Sequence, residues 1–170
     1  IVSAPFIDGG QIHAFWYDME SDSFQHSGML QGEDGLQSQA LAVRGNMAFA
    51  GVPSANDGMG GVQSFWYNPE SAVWEAQAML MPYDGQSGAL GSSVAIVGDE
   101  VWAGAPGADE SRGAIYRFGV GAWGVTGAFR SSISNAVRGS GAGTALAGTP
   151  FVAVAGAPGV GSSGLAYVLE

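Results

Sequence analysis

Few side chains in this sequence could carry out catalysis. The chain has two histidines, His13 and His26, and it has no cysteine and no lysine. Its many serines could be combined with a histidine and an aspartate, but no serine lies in a nucleophile elbow. Gly139–Gly143 is rich in glycine, yet it lacks the lysine and the following helix of a phosphate-binding loop. We interpret it as a flexible connection between structural units, and we expect a protein that is not an enzyme.

Two other sets of side chains could bind a ligand. Carboxylate oxygens are the ligands that calcium and magnesium prefer, whereas Trp and Tyr rings can stack on a sugar ring. The acidic candidates are Asp8, Asp34, Asp57, Asp84 and Asp109. The aromatic candidates are Trp16 and Trp66, each followed by a tyrosine. What these side chains can do depends on the elements that position them.

The charge of the chain limits its partners. Fifteen acidic residues and five arginines give a formal net charge of −10. Because such a surface repels phosphate groups, we expect neither nucleic-acid binding nor attachment to anionic membranes. No apolar run is long enough to span a bilayer, and the lack of cysteine excludes disulfides and thiolate metal sites. The composition fits a secreted or cell-surface protein whose signal peptide would lie upstream of Ile1.

A motif of small residues followed by proline recurs about every fifty residues. The prolines are 48, 53 and 52 residues apart, at Pro5, Pro53, Pro106 and Pro158. After each proline comes a glycine that opens a strand ending in a large apolar residue. An alternating strand precedes the later motifs, and an aromatic-to-apolar strand follows the first three. Each full unit therefore contains four short strands, A to D, and no stretch predicts a helix.

The strand pattern predicts the fold class. Strands A and B are joined by two residues: Gly45-Asn46, Gly98-Asp99 and Gly148-Thr149. Glycine at the first position suits a type II′ hairpin turn, which needs a positive φ there. Four antiparallel strands per repeat, with Gly and aromatic residues at fixed places, are typical of a β-propeller blade. We therefore predict an all-β chain forming a β-propeller, and a β-solenoid is the alternative.

The third repeat resembles the FG-GAP repeat. The resemblance is carried by Ser93–Pro106, Gly113–Phe118 and Trp123, and it covers essentially the whole chain. It implies the propeller found at the head of integrin α chains and in bacterial and algal extracellular proteins. Integrin-type repeats carry a calcium loop between strands A and B, but a two-residue turn cannot supply six or more oxygen ligands. The chain is therefore similar to the calcium-loop-free variety. We expect no cofactor, since the A–B turns do not support calcium, which stays a possible ligand elsewhere.

The repeats at the two ends of the chain are incomplete. Their approximate bounds are 1–39, 40–92, 93–143 and 144–170, within one partial propeller domain. The first repeat lacks strand A and the last lacks strand D, which makes about three and a half blades. Because open blades expose unpaired strand edges, we expect another polypeptide to complete the propeller, either a second copy or the rest of a longer protein. A compact four-bladed ring is the alternative.

The propeller would gather the acidic candidates on one face of the disc. Asp8, Asp57 and Asp109 lie in B–C connections, Asp34 and Asp84 lie in D–A connections, and both kinds emerge on the same face. One interpretation is a cation-dependent ligand surface. The other is ordinary turn chemistry, in which Asp and Asn are common.

The aromatic candidates likewise have two interpretations. Trp16 and Trp66 could stack on sugars in pockets between blades, or they could form an apolar wall there. The features together favour an extracellular, non-catalytic adhesion or recognition propeller that binds a protein or glycan ligand through its loop face. A structural subunit or fragment of a larger surface or filament assembly is the alternative. A lectin with aromatic pockets between blades and an enzyme are favoured less.

Overall fold

The computed structural model describes residues 1–4, 10–30, 37–86, 88–121, 124–132 and 136–169. Within them the chain is all-β, with fourteen strands in four antiparallel sheets. Two helical turns of four residues each complete the regular structure of this part of the chain.

Each sheet is a meander of strands that are consecutive in the sequence. Sheet 1 contains β1 (Val2–Ala4), β2 (Gln11–Asp18) and β3 (Ser23–Leu30). Sheet 2 contains β4 (Ala40–Arg44), β5 (Met47–Val52), β6 (Gly61–Asn68) and β7 (Val73–Leu80). Sheet 3 contains β8 (Ser93–Val97), β9 (Glu100–Ala105), β10 (Ala114–Gly121) and β11 (Gly124–Ser132). Sheet 4 contains β12 (Ala145–Gly148), β13 (Ala153–Ala157) and β14 (Leu165–Leu169). These are the three, four, four and three strands that the repeats predict.

The A–B turns of sheets 2 and 3 have the predicted form. Gly45 and Gly98 have φ values of 56° and 54°, in the left-handed region that glycine enters without strain. The flanking residues pair directly across each turn, so two residues make the connection.

The predicted A–B turn of sheet 4 is wrong by two residues. Gly148 pairs with Ala153 and belongs to β12. The backbone N–H of Thr149 donates to the carbonyl of Val152 at 2.8 Å, so the turn lies beyond Thr149. Pro150 explains the shift, because its fixed φ suits the first central position of a turn.

Two helical turns occur where the sequence predicts no helix. They are α1 (Ala55–Gly58) and α2 (Ala108–Ser111), in the B–C connections of sheets 2 and 3. Asn56, Asp57 and Asp109 have φ values of 50°, 56° and 52°, a left-handed conformation that Asn and Asp tolerate better than most residues. A single turn of this kind has no apolar period by which the sequence could show it. No helix in the described ranges has the length and apolar character needed to cross a membrane.

Three apolar clusters join the sheets in the order of the sequence. Between sheets 1 and 2 the buried residues include Ile12, Leu30, Ala50 and Phe65. Between sheets 2 and 3 they include Val62, Leu90, Ala103, Tyr116 and Phe118. Between sheets 3 and 4 they include Trp102, Ile115, Ala153 and Ala155. Strand B supplies mostly alanines, and strand C supplies larger side chains. A large apolar side chain such as Val, Ile or Phe stabilises the fold by about 1.5–3 kcal/mol when it is fully buried.

The segment that leads into sheet 3 is hydrogen-bonded to the sheets on both of its sides. We call residues 88–92 the first connector. The N–H of Leu90 donates to the carbonyl of Met59 at 3.0 Å, next to α1 in sheet 2. The N–H of Gly91 donates to the carbonyl of Gly104 at 3.0 Å, in strand B of sheet 3. The first connector therefore fixes sheet 3 against sheet 2.

A second connector, residues 140–144, does the same between sheets 3 and 4. The N–H of Ala142 donates to the carbonyl of Arg112 at 3.1 Å, and the N–H of Gly143 donates to that of Gly156 at 3.0 Å. This glycine-rich stretch was predicted to be a flexible connection. That prediction is wrong, because its backbone is bonded to both neighbouring sheets.

Candidate functional site

A cleft lined by aromatic side chains opens between sheets 1 and 2. It lies at the end of the molecule that carries the A–B and C–D turns, and its volume is about 290 Å³. Its lining residues are Ile1, Ala14, Phe15, Trp16, Ser27, Val43, Gly45, Tyr67 and Trp74. We call it the aromatic cleft. The volume is just below the usual range for ligand pockets, about 300–1,000 Å³.

Strand alternation brings aromatic rings from both sheets into the aromatic cleft. Trp16 follows Ala14 by two residues on β2, so both side chains face sheet 2. Tyr67 follows the buried Phe65 by two residues on β6, so it faces sheet 1. Trp74 pairs with Tyr67 across β6 and β7, and their ring centroids are 5.3 Å apart. Sheet 1 therefore supplies one wall, and sheet 2 supplies a pair of contacting rings whose planes are tilted by 52°.

The rings of the aromatic cleft keep much of their surface in water. Trp16 is 53% exposed, and Tyr67 and Trp74 are partly buried. The N–H of Tyr67 donates to the carbonyl of Asn46 at 2.8 Å, which fixes its backbone to the A–B turn of its own sheet. The cleft thus offers flat apolar faces on a fixed frame, beside the hydroxyl of Ser27. Such a surface suits a ligand with an apolar face and polar edges.

Sheet 1 carries an equivalent aromatic pair, in edge-to-face contact, on its other face. Tyr17 and Phe24 have ring centroids 5.3 Å apart, as in the pair on sheet 2. The Tyr17 hydroxyl donates to the carboxylate of Asp22, and this hydrogen bond raises the pKa of Tyr17. In the same hairpin the Ser21 hydroxyl lowers the pKa of Asp18, which accepts its hydrogen bond at 2.6 Å. These bonds order the C–D turn, and the pair lies outside the aromatic cleft.

The structure separates the two predicted tryptophans. Trp16 lines the aromatic cleft, whereas Trp66 lies on the face of β6 that is turned toward sheet 3. Trp74 was not among the predicted site residues, and Tyr67 was named only beside Trp66. The sequence does contain a signal for their proximity. Trp74 begins the aromatic-to-apolar strand that follows Tyr67, so the C–D hairpin places the two residues opposite each other.

The acidic candidates that the structure describes lie in the B–C and D–A connections, at the end of the molecule opposite the aromatic cleft. Asp8 and Asp34 are outside the described residues. Asp57 lies in α1 and Asp109 lies in α2. The N–H of Gly107 beside α2 donates to the carbonyl of Gly88 at 3.0 Å, so a B–C and a D–A connection meet there as predicted.

The fifth acidic candidate has a structural partner. The hydroxyl of Tyr116 donates to the Asp84 carboxylate, at 2.9 Å from Oδ1 and 3.1 Å from Oδ2. Tyr116 is only 1% exposed, so this bond satisfies a polar group at the edge of the core. Across the described residues, no group of three or more His, Cys, Asp or Glu side chains is placed to hold a metal ion. The geometry therefore favours the aromatic cleft over the acidic loops as the candidate site.

Comparison of the chain with models of known protein families and with curated proteins finds no match. The resemblance to the FG-GAP repeat therefore stays a prediction that rests on the residues themselves.

Proposed function

We propose that the chain is a non-catalytic recognition module that binds an uncharged carbohydrate in the aromatic cleft. The observation that carries this proposal is the half-exposed Trp16 facing the contacting rings of Tyr67 and Trp74 across a cleft of about 290 Å³. One face of a pyranose ring presents C–H groups, which pack on an aromatic ring, while its hydroxyls point outward to water and to polar groups.

The charge of the chain narrows the ligand class. With a formal net charge of −10, the protein repels acidic sugars and nucleic acids at long range. A neutral sugar avoids this repulsion and needs no counter-charge in the cleft. The proposal therefore excludes sialylated and sulfated glycans as the preferred ligands.

The architecture we propose is a partial β-propeller of the FG-GAP type, free of calcium loops. Its support is the meander order within each sheet, the packing of each sheet on the next, and the two connectors. A further polypeptide would complete the ring. The acidic composition fits an extracellular or cell-surface location, and the proposal requires neither a cofactor nor a metal.

Binding of a protein or glycan through the loop face is the second candidate function. It is favoured by Asp57 and Asp109, which lie on the B–C connections of neighbouring sheets at the same end of the molecule. Binding through the loop face does not involve the aromatic cleft. Substitutions in the cleft and substitutions in the loops therefore distinguish the two candidate functions.

A glycan array followed by calorimetric titration tests the carbohydrate proposal. We expect binding to a neutral oligosaccharide, and we expect Trp16→Ala to weaken it by at least about tenfold, equivalent to about 1.4 kcal/mol. Phe24→Ala is the matched control, because it removes an exposed ring of sheet 1 that lies outside the cleft. Equal affinity of the parent and Trp16→Ala proteins would contradict the proposal. Binding that is lost in Asp57→Ala and kept in Trp16→Ala would favour the loop face.

A further inference from the structure

Sheet 4 carries an open groove on the face turned away from sheet 3. The groove has a volume of about 570 Å³, and its lining includes Gly156, Pro158, Ser163, Gly164 and Ala166. The apolar side chains around it are open to water, and Val168 beside it is 67% exposed.

The chain itself fills the equivalent groove of sheet 2. There the first connector passes so close to strand B that a Cβ on Gly51 would lie 2.0 Å from the carbonyl oxygen of Gly91. A Cβ on Gly60, at the start of strand C, would lie 2.2 Å from the carbonyl oxygen of Leu90. The two glycines therefore make room for a peptide segment.

The chain also fills the equivalent groove of sheet 3. A Cβ on Gly104 would lie 2.0 Å from the carbonyl oxygen of Gly143, and one on Gly113 would lie 2.0 Å from that of Ala142. The second connector thus occupies the groove of sheet 3 in the same way as the first connector occupies that of sheet 2.

Sheet 4 has the same two glycines, and the space above them is open. By the spacing of the repeats, Gly156 corresponds to Gly104 and Gly164 corresponds to Gly113. A Cβ on Gly156 would meet no atom closer than the Cβ of Ala145 at 3.5 Å, which is ordinary contact. A Cβ on Gly164 would meet nothing closer than 3.3 Å. Sheets 2 and 3 each hold a connector above these glycines. In sheet 4 the same space exists, and no connector of the described chain fills it.

We propose that this groove is a binding site for an extended peptide segment of small, uncharged residues. The two connectors define its chemistry: their central residues are Gly88-Ala89-Leu90-Gly91 and Ser140-Gly141-Ala142-Gly143. The last glycine of the segment lies on Gly156, where any side chain would collide with the strand. The N–H before it bonds to the carbonyl of Ser163, as Leu90 does to Met59 and Ala142 to Arg112. This site is separate from the aromatic cleft.

A titration of the ¹⁵N-labelled chain with a capped peptide of residues 139–148 tests the proposal. We expect saturable shifts at Gly156, Ser163, Gly164 and Ala166, and no shifts with the same peptide carrying Gly143→Val. The chain variant Gly156→Val fills the groove at a position where the parent has open space, so we expect it to lose the shifts and keep its unfolding midpoint. Should Gly156→Val fail to fold, Ala166→Leu blocks the same groove from an exposed position.

Two outcomes would overturn the proposal. One is the absence of shifts at millimolar peptide concentration. The other is an equal response of the parent chain and of a folded groove variant, because the peptide would then bind elsewhere.

Discussion

Alanine in place of Gly104 should destabilise the chain by about 3 kcal/mol, at the upper end of the cost of overpacking. The added Cβ would lie 2.0 Å from the carbonyl oxygen of Gly143 and 2.5 Å from the Oγ of Ser93. The backbone of Gly143 cannot move away without breaking the hydrogen bond by which the second connector holds sheet 4. Urea denaturation measures the free energy of unfolding of the parent and variant proteins. An equal dependence of this free energy on urea concentration in both proteins shows that the unfolded state is unchanged.

Gly156→Ala is the matched control for Gly104→Ala. It makes the same substitution at the equivalent position of the next repeat, where the added Cβ meets only ordinary contacts. We expect a change within about 0.5 kcal/mol, the usual range for surface substitutions. Equal costs for the two variants would contradict the close approach of the connector to sheet 3.

Phe65→Ala should cost about 3–5 kcal/mol, as is usual for truncating a fully buried phenylalanine. Phe65 is 2% exposed and packs in the cluster between sheets 1 and 2. The substitution removes apolar contacts from both sheets and leaves a cavity that small strand-B residues cannot fill. Urea denaturation measures the loss.

Phe15→Ala provides the comparison for Phe65→Ala. Phe15 occupies the equivalent place in sheet 1, but it is 42% exposed and its ring contacts His13 and His26. We expect a cost of about 1 kcal/mol, because much of the ring is already in water. A cost for Phe15→Ala as large as that for Phe65→Ala would mean that another layer covers this face of sheet 1.

The repeat spacing was sufficient to predict the strands, because each strand is short and bounded by turn residues that act locally. The turns at Gly45 and Gly98 could be placed for the same reason, since tolerance of a positive φ is a property of glycine itself. The turn of sheet 4 was misplaced because Pro150 competes with Gly148 for it, and the pairing of β12 with β13 decides between them.

The connectors and the aromatic cleft could not be predicted from local signals. The glycines of residues 140–144 suggest a flexible linker in the sequence, yet Gly143 lies against strand B of sheet 3, where an added Cβ would be 3.1 Å from the Cα of Gly104. Whether Trp16 and Trp66 share a site depends on which neighbouring sheet packs against the face of the strand that carries each of them. That packing is a tertiary property. Tyr67 and Trp74 join Trp16 only through the packing of sheet 2 on sheet 1.

The central claim is that the two connectors fix sheets 2, 3 and 4 to one another in sequence order, and amide hydrogen exchange tests it most directly. The N–H groups of Leu90 and Ala142 lie outside the named strands and bond to carbonyls of the preceding sheet. We expect both to exchange slowly, with protection close to that of Ile115, a fully buried residue in the middle of sheet 3. Exchange of Leu90 and Ala142 at the rate of an unstructured peptide, while Ile115 stays protected, would contradict the claim.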